Sequence, residues 1–497
     1  MGVEVSTDVH GQRAVRWTVQ LADGPAIVSH SFPDAVRHHY TAGGAGEDLR
    51  LYSGPFSLDA DNGHVGDVLW RWGRHPRIEV RSSHPTRQSD FDELLAPGGG
   101  MWVSPRALTI AMPAGSLPAQ PASSSAETGT GSSVPPFGTT SQTLHVEQEL
   151  GEASGLERVT FLVPNGWDGL DAAGICDATD LTQHWHGRTE AAGGGWRVTF
   201  DRLANMEADA WDELRDRGGH RFTHVGQLER THGETFDGQE AFAALDRVRL
   251  GMNLALGRRT TCALPVGWRD DEAVWCRWRT ATVDHYCRSS HWLDDTIACA
   301  QVREAVSLML EFTADDANLA AVRPALAYYV AGNVDVDVEL SAAVPLSALQ
   351  LLSYYRFVEQ RRVYSRTKWN DMNTEEQVRL LLSEFGIDLT IRPHFEHLIA
   401  VCERLGPAAG TQPGRTSPPR RDSLGVVVKM RNVVTHPTRD RPSTFNAYEW
   451  VEAAMHARYW LCLALLYTIG YAGNVSAILE EQPPWTGAVR AVPWAPP

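Results

Sequence analysis

The residues best suited to chemistry lie close together near the C-terminus, in Lys429-Met430-Arg431-Asn432-Val433-Val434-Thr435-His436-Pro437. An imidazole exchanges protons near neutral pH, and a guanidinium fork matches phosphate oxygens. An arginine and a histidine side by side therefore suit phosphate handling. Wound as a helix at about 100° per residue, the segment sorts into two faces. Val426, Val427, Met430, Val433 and Val434 fall within an arc of about 120° and are expected to face a core. Arg431, Asn432, Thr435 and His436 fall within about 140° on the opposite side. Pro437 disfavours helical geometry at His436 and predicts the imidazole at the helix C-terminus, where backbone carbonyls favour a protonated ring.

The bland reading of the same residues is a helix whose Arg and His merely face water. The local charge argues for more. Arg415, Arg420, Arg421, Lys429, Arg431, Arg439 and Arg441 stand against only Asp422 and Asp440 between positions 415 and 441. The whole chain has a formal charge of −16, so this is a basic island on an acidic protein. It predicts a polyanion bound at one place and excludes general nucleic-acid coating.

Arg431-Asn432-Val433-Val434-Thr435-His436 resembles the Arg-polar-x-x-x-His signature of HEPN domains, helical bundles that are often metal-independent ribonucleases. The stretch from Trp450 to Gly473 resembles the last long helix of that domain. Upstream, Tyr52 to Asp59 and the strand bearing Trp275 and Trp278 resemble the opening and closing strands of the N-terminal region in the ApeA-like subgroup of anti-phage HEPN proteins. The resemblance implies an endoribonuclease that cleaves RNA by attack of the 2′-hydroxyl on its own phosphate. Under it His436 is the acid/base, Arg431 holds the non-bridging oxygens, and Asn432 orients the histidine or hydrogen-bonds phosphate. Lys429, Arg420, Arg421, Arg439 and Arg441 are RNA-binding candidates on charge and proximity. No metal or other cofactor is implied. A two-fold homodimer would bring two copies of the motif into one composite site. The implied partner is RNA, tRNA among the candidates, with a phage-derived trigger sensed by the β-rich region and abortive infection as the outcome. Two other readings stand beside this one. One is a non-catalytic HEPN module that binds nucleotide or RNA, or only dimerises. The other is a carbohydrate-binding β protein that uses Trp70, Trp72 and Trp102.

The elements that must position these residues follow from the hydrophobic pattern. At 497 residues the chain is long enough for two to four domains. The expected fold class is α+β multidomain, with a β-rich, sandwich-like N-terminal region over 1–285 and an all-α HEPN bundle within 286–497. Val15, Trp17, Val19 and Leu21 alternate as a half-buried strand does, and Asn62-Gly63 predicts a hairpin turn. Trp70 and its neighbours are better read as core filling than as a ligand platform. Residues 113–141 are rich in Pro, Ser, Gly and Thr and read as a flexible loop. His184-Trp185-His186 puts two imidazoles on one strand face, without a third metal ligand nearby. Phe242, Leu245, Val248, Met252 and Leu256 form a helical stripe with Asp237 as its N-cap, followed by strands near 262–265 and 273–279.

From about residue 291 the pattern is helical over 294–312, 318–331, 345–363, 374–385, 392–405, 423–436 and 446–472. Asn373 and Glu376 make a capping box. Asp335, Asp337 and Glu339 read as a solvated helix approach, and 406–422 as a long loop within the bundle. The seven cysteines contain no CxxC pair, which predicts reduced thiols. No apolar stretch is long enough to span a bilayer and the N-terminus lacks the pattern of a signal peptide, so a cytoplasmic location is expected. No P-loop, G-x-G-x-x-G or G-x-S-x-G motif is present, which leaves Arg431 and His436 as the strongest chemical pair.

Overall fold

A computed structural model describes residues 2–7, 13–21, 24–58, 61–73, 76–82, 110–111, 141–143, 147–169, 171–177, 183–287, 292–333, 337–406, 421–435, 445–481 and 489–495. It is a mixed α/β protein, β-rich in its N-terminal half and helical in its C-terminal half. Strands β1 (Gly2–Thr7), β2 (Arg13–Leu21) and β3 (Gly24–Phe32) form an antiparallel meander, with Val15, Trp17, Val19 and Leu21 all within β2. Strands β4 (Leu49–Leu58), β5 (Asp61–Arg71), β6 (Arg77–Ser82), β7 (Ile110–Ala111) and β8 (Ser141–Thr143) form a second sheet in the order β7-β4-β5-β6-β8. The predicted hairpin is present, but its turn comes earlier than Asn62-Gly63. Leu58 pairs with Asp61, and Asn62-Gly63 lie within β5. Burial of Leu49, Leu51, Val68 and Trp70 on one face fixes the register, which outweighs a local turn preference. Ser141 opens β8, while 113–140 and Trp102 lie outside the described residues.

The largest sheet is antiparallel, in the order β11-β12-β13-β14-β10-β15-β16-β9. Its strands are β9 (Glu147–Gly151), β10 (Arg158–Pro164), β11 (Ala173–Cys176), β12 (His184–Gly193), β13 (Trp196–Arg202), β14 (Phe222–Arg230), β15 (Ala263–Arg269) and β16 (Glu272–Arg279). Because side chains alternate along a strand, neighbours enter different cores. Leu162, Cys276 and Trp278 join Leu51, Val68, Trp70 and Ile78 of the smaller sheet. Phe161, Phe200 and Trp275 face the helices instead.

Helix α1 (Ala208–Arg217) buries Trp211 and Leu214, and α2 (Gly238–Leu256) starts with the expected Asp237 cap, reciprocated by Glu240. Beyond it come α3 (Ala298–Phe312), α4 (Asp316–Asn333), α5 (Val338–Tyr354), a π-helical turn (Tyr355–Gln360), α6 (Arg366–Asn370), α7 (Thr374–Glu384), α8 (Glu396–Leu405), α9 (Ser423–Thr435) and α10 (Ala447–Thr468). The box formed by Asn373 and Glu376 opens α7. Helix α5 begins seven residues earlier than expected and runs through Pro345, with Asp337 at its N-cap position and Glu339 in its first turn. Proline usually opens a helix, but here burial of Ala342, Ala343, Leu346 and Leu349 holds the segment helical across it. Asp335 and the segment 407–420 lie outside the described residues. The sequence pattern marked neither α1 and β14 nor the five-residue α6 and a hairpin of β17 (Asn474–Ser476) with β18 (Val489–Ala491).

The halves are joined at α3. A Cβ on Gly251 of α2 would lie 2.7 Å from Val306 Cα, so these helices touch backbone to backbone. On its other side α3 meets the β12–β13 turn, where Ser307 Oγ takes the Ala192 N–H at 3.0 Å and Glu311 takes the Gly194 N–H at 2.7 Å. One apolar core then runs from Phe161 through Val248 and Val306 to Leu346, Val427 and Leu461. Among the described residues, no helix is long and apolar enough to cross a membrane.

Two outcomes follow from this packing. In an open helix, Gly→Ala gains roughly 1 kcal/mol. Gly251→Ala is expected instead to cost about 1–3 kcal/mol in denaturant unfolding, because Val306 backbone cannot yield. The second concerns pH. Burial depresses His38 to about 4, His224 to about 3 and His456 to about 4, from an ordinary 6.5. The unfolded chain therefore holds more protons over that interval, so stability is complete above it and falls as acid is added. The thermal midpoint should drop between about pH 7 and about pH 5, and His456→Gln should flatten the drop.

Candidate functional site

Helix α9 carries the Arg431 motif and is fixed firmly at its N-terminal end. Asp422 Oδ1 accepts the Gly425 N–H at 2.9 Å, and the same carboxylate grips both outer nitrogens of Arg379. Burial works to raise the Asp422 carboxyl, but the Arg379 hydrogen bonds and the Gly425 N–H outweigh it and hold it below the usual range. Arg379 in turn sits above its ordinary value, chiefly through its bond to Asp422. Ser423 donates from both N and Oγ to Leu389 O, at 3.0 and 2.7 Å. Leu424, Val426, Val427, Val428 and Met430 are buried against α5, α7, α8 and α10.

The C-terminal end of α9 is different. The apolar stripe expected to reach Val434 stops at Met430, since Val433 is half-buried and Val434 is 37% exposed. Arg431 is half-buried, its Nη1 donating to Asn432 Oδ1 at 3.2 Å. Its Nε is buried without a hydrogen-bond partner among the described residues. Burial depresses its pKa, yet a guanidinium stays charged throughout the working range. Thr435 Oγ1 donates to Arg431 O at 3.1 Å, and Lys429 is exposed.

Several other half-buried arginines of the helical half have carboxylate partners. Arg356 meets Glu384 at 2.6 Å, Arg392 meets Glu480 at 3.2 Å, and Arg490 meets Glu480 at 2.6 Å. Arg431 has none among the described residues. Arg458 of α10 is similar, with Nε donating to Ala454 O at 3.3 Å and no carboxylate among the described residues. In sequence, Arg458 is marked only as the one basic charge within the largely apolar stretch Trp450–Leu466. A half-buried cation with donors to spare is an anion receptor, because a phosphate or carboxylate would satisfy both charge and hydrogen bonds.

The expected residues are only partly brought together. Arg431 and Asn432 are in contact, and Lys429 lies on the same helix. Arg421 lies before the N-terminus of α9, on the order of 15 Å along the axis from Arg431. There its backbone O accepts the Cys402 thiol at 3.1 Å. His436, Arg420, Arg439 and Arg441 lie outside the described residues. Trp70 is fully buried, as core packing requires, while Trp72 stacks on His220 with centroids 5.5 Å apart. His184 and His186 are exposed on β12, and no group of three His, Cys, Asp or Glu gathers there or elsewhere among the described residues.

Comparison with known proteins divides the chain along similar lines. Residues 151–289, from the end of β9 past β16, match the family model of the YopA central domain. Residues 315–489, from α4 to β18, match that of the YopA C-terminal domain. The chain is also similar to the SPbeta prophage-derived uncharacterized protein YopA of Bacillus subtilis (strain 168), at 23% identity over 310 residues. That alignment covers 62% of this chain and 66% of the relative, just under two thirds of the latter's length. No solved structure matches the chain.

The two ends of α9 should respond oppositely to truncation. Asp422→Ala removes the helix cap and leaves half-buried Arg379 with Glu375 alone, and is expected to cost about 1–3 kcal/mol in thermal or denaturant unfolding. Arg431→Ala breaks no ion pair among the described residues and should stay within about 0.5 kcal/mol of wild type. A large loss for Arg431→Ala would make that arginine a structural residue.

Proposed function

We propose that the helical half is a metal-independent endoribonuclease of the HEPN kind, with Arg431, Asn432 and His436 as its working residues. The observation that carries this reading is Arg431 itself. It is a half-buried guanidinium with an unpartnered Nε among the described residues, bonded to Asn432 near the C-terminal end of a helix whose other end is anchored. In sequence, His436 follows the last residue of that helix directly.

The chemistry asks little more of the protein. The RNA 2′-hydroxyl attacks phosphorus while His436 takes its proton, the bond to the 5′-oxygen breaks, and a protonated imidazole supplies the leaving oxygen with a proton. Arg431 offers its fork to the non-bridging oxygens of the phosphorane, where charge is greatest. One imidazole cannot be base and acid in the same instant, so a two-fold homodimer that pools two motifs fits the reaction. Lys429, Arg439 and Arg441 would add contacts to the RNA backbone. The β-rich half would serve as the sensor of a phage-derived trigger, with tRNA or other cellular RNA as substrate and abortive infection as the result. The prophage origin of the Bacillus subtilis relative supports a role in conflict between bacteria and phages.

The test is cleavage of mixed RNA, tRNA included, by the full-length protein with EDTA present. Wild type should leave 2′,3′-cyclic phosphate and 5′-hydroxyl ends, and Arg431→Ala and His436→Ala should each lose roughly 10²-fold or more. Cutting that survives both substitutions overturns the site. RNA binding without cutting, also in the presence of phage lysate, would favour a non-catalytic binding module.

A further inference from the structure

Between the π-helical turn and α7, four cations fall within eight residues: Arg361, Arg362, Arg366 and Lys368. Glu359 and Asp371 are the only acidic residues from 359 to 371, in a chain whose formal charge is −16. All four cations are exposed. Arg361 reaches Glu384 at 3.1 Å, but that carboxylate already meets Arg356 at 2.6 Å. Downstream, Glu375 is taken by Arg379 at 2.8 Å and Glu376 by the Asn373 N–H at 2.9 Å. Arg362, Arg366 and Lys368 have no carboxylate partner among the described residues.

A run of charge on a loose loop is an ordinary solvated surface, but this turn is held. The Arg361 N–H donates to Arg356 O at 2.9 Å, and the Val363 and Tyr364 N–H groups both donate to Phe357 O, at 2.8 and 3.3 Å. Arg362 between them sits at φ +52°, a left-handed conformation that a long side chain rarely adopts and that persists only where the surroundings impose it. Buried Trp369 anchors the far side of the segment. Its ring stacks on Phe357 with centroids 6.1 Å apart, and its backbone O accepts from Gln377 Nε2 at 3.0 Å. Ser365 Oγ accepts the Lys368 N–H at 3.2 Å. Like charges are thus kept near one another on a fixed backbone, a cost that a polyanion laid across them would offset.

We propose that this turn is a docking surface for RNA, holding the phosphodiester backbone of the substrate at a place separate from the Arg431 motif. Cations side by side on an exposed turn suit a chain of phosphates, whereas a single small anion needs them to converge in a cleft. Val363 in their midst is 58% exposed and offers an apolar contact to a base. One valine is too small an apolar surface to anchor the turn in a lipid bilayer. Helix α5, which leads into this turn, is one of the helices that pack against α9, so RNA held here is held by the same bundle. The choice of RNA rests on the nuclease reading of the helical half, but the contact uses none of the α9 residues.

Fluorescence anisotropy with the full-length protein and a labelled 2′-O-methyl oligoribonucleotide of about 20 residues tests it, because that probe binds as RNA does but has no hydroxyl to attack its own phosphate. Wild type should bind the probe, and Arg362→Gln/Arg366→Gln/Lys368→Gln should weaken binding about tenfold or more with circular dichroism unchanged. The plot of log K against log salt should become shallower by about two for the triple variant and by roughly 0.7 for Arg366→Gln alone. Arg217→Gln, an exposed arginine paired with Glu213, should bind as wild type does. Equal binding by the folded triple variant and wild type, an unchanged salt slope, or no binding by wild type at low salt would overturn the proposal. So would binding of anionic lipid vesicles in place of RNA. If the triple variant loses the probe while wild type never cuts unmodified RNA, the docking surface stands and the nuclease reading falls. Cleavage that needs Arg431 and His436, with equal binding by the triple variant, does the reverse.

Discussion

The contact on which the whole arrangement depends is the backbone approach of α2 to α3 at Gly251 and Val306. Helix α2 belongs to the large sheet, whose Phe161, Phe200 and Trp275 it covers, and α3 begins the helical half. Bringing the two within van der Waals range of their main chains lets a single core pass from sheet to bundle. Glycine is required at that point because any side chain would occupy the space of the neighbouring backbone. The β12–β13 turn then clasps α3 from the other side through Ser307 and Glu311. Helix α3 falls between the two stretches that match YopA domain models, while Gly251 and the β12–β13 turn lie within the first of them.

Arginine is used in two ways in this protein. Arg356, Arg379, Arg392, Arg404 and Arg490 bind carboxylates and tie helices and loops together. Such pairs settle the charge they bring, because each half-buried cation finds an anion within the same chain. Arg431 does not follow that pattern among the described residues, and neither does Arg458 of α10. Where a folded chain keeps a half-buried cation without an internal anion, the desolvation it has suffered is recovered only from outside. That asymmetry, not the number of basic residues, distinguishes the two places.

Much of the framework was legible as pattern. Alternation located β2, β15 and β16, and the periodic stripes located most helices to within a few residues. The N-cap at Asp237 and the capping box at Asn373 marked helix starts correctly, because a cap is a local bond between residues three apart. Misplacements came where distant packing competed with local preference. Asn62-Gly63 lost its turn to the register of buried residues, and Pro345 lost its place at the head of a helix to the core of the bundle. The β17–β18 hairpin gave no signal, since three residues are too few to show a period.

At the candidate site, sequence alone determined which residues share the Arg431 helix and that Arg431 and Asn432 lie side by side on it, since helical geometry is a local property. It also determined the clustering of basic residues near 415–441 within an acidic chain. Only the tertiary structure decided that Arg431 is half-buried yet unpartnered at Nε among the described residues, that the apolar stripe ends at Met430, and that Arg421 belongs to the other end of the helix. The physical reason is that burial and charge compensation depend on which distant segments come into contact, and that is set by packing of the whole chain.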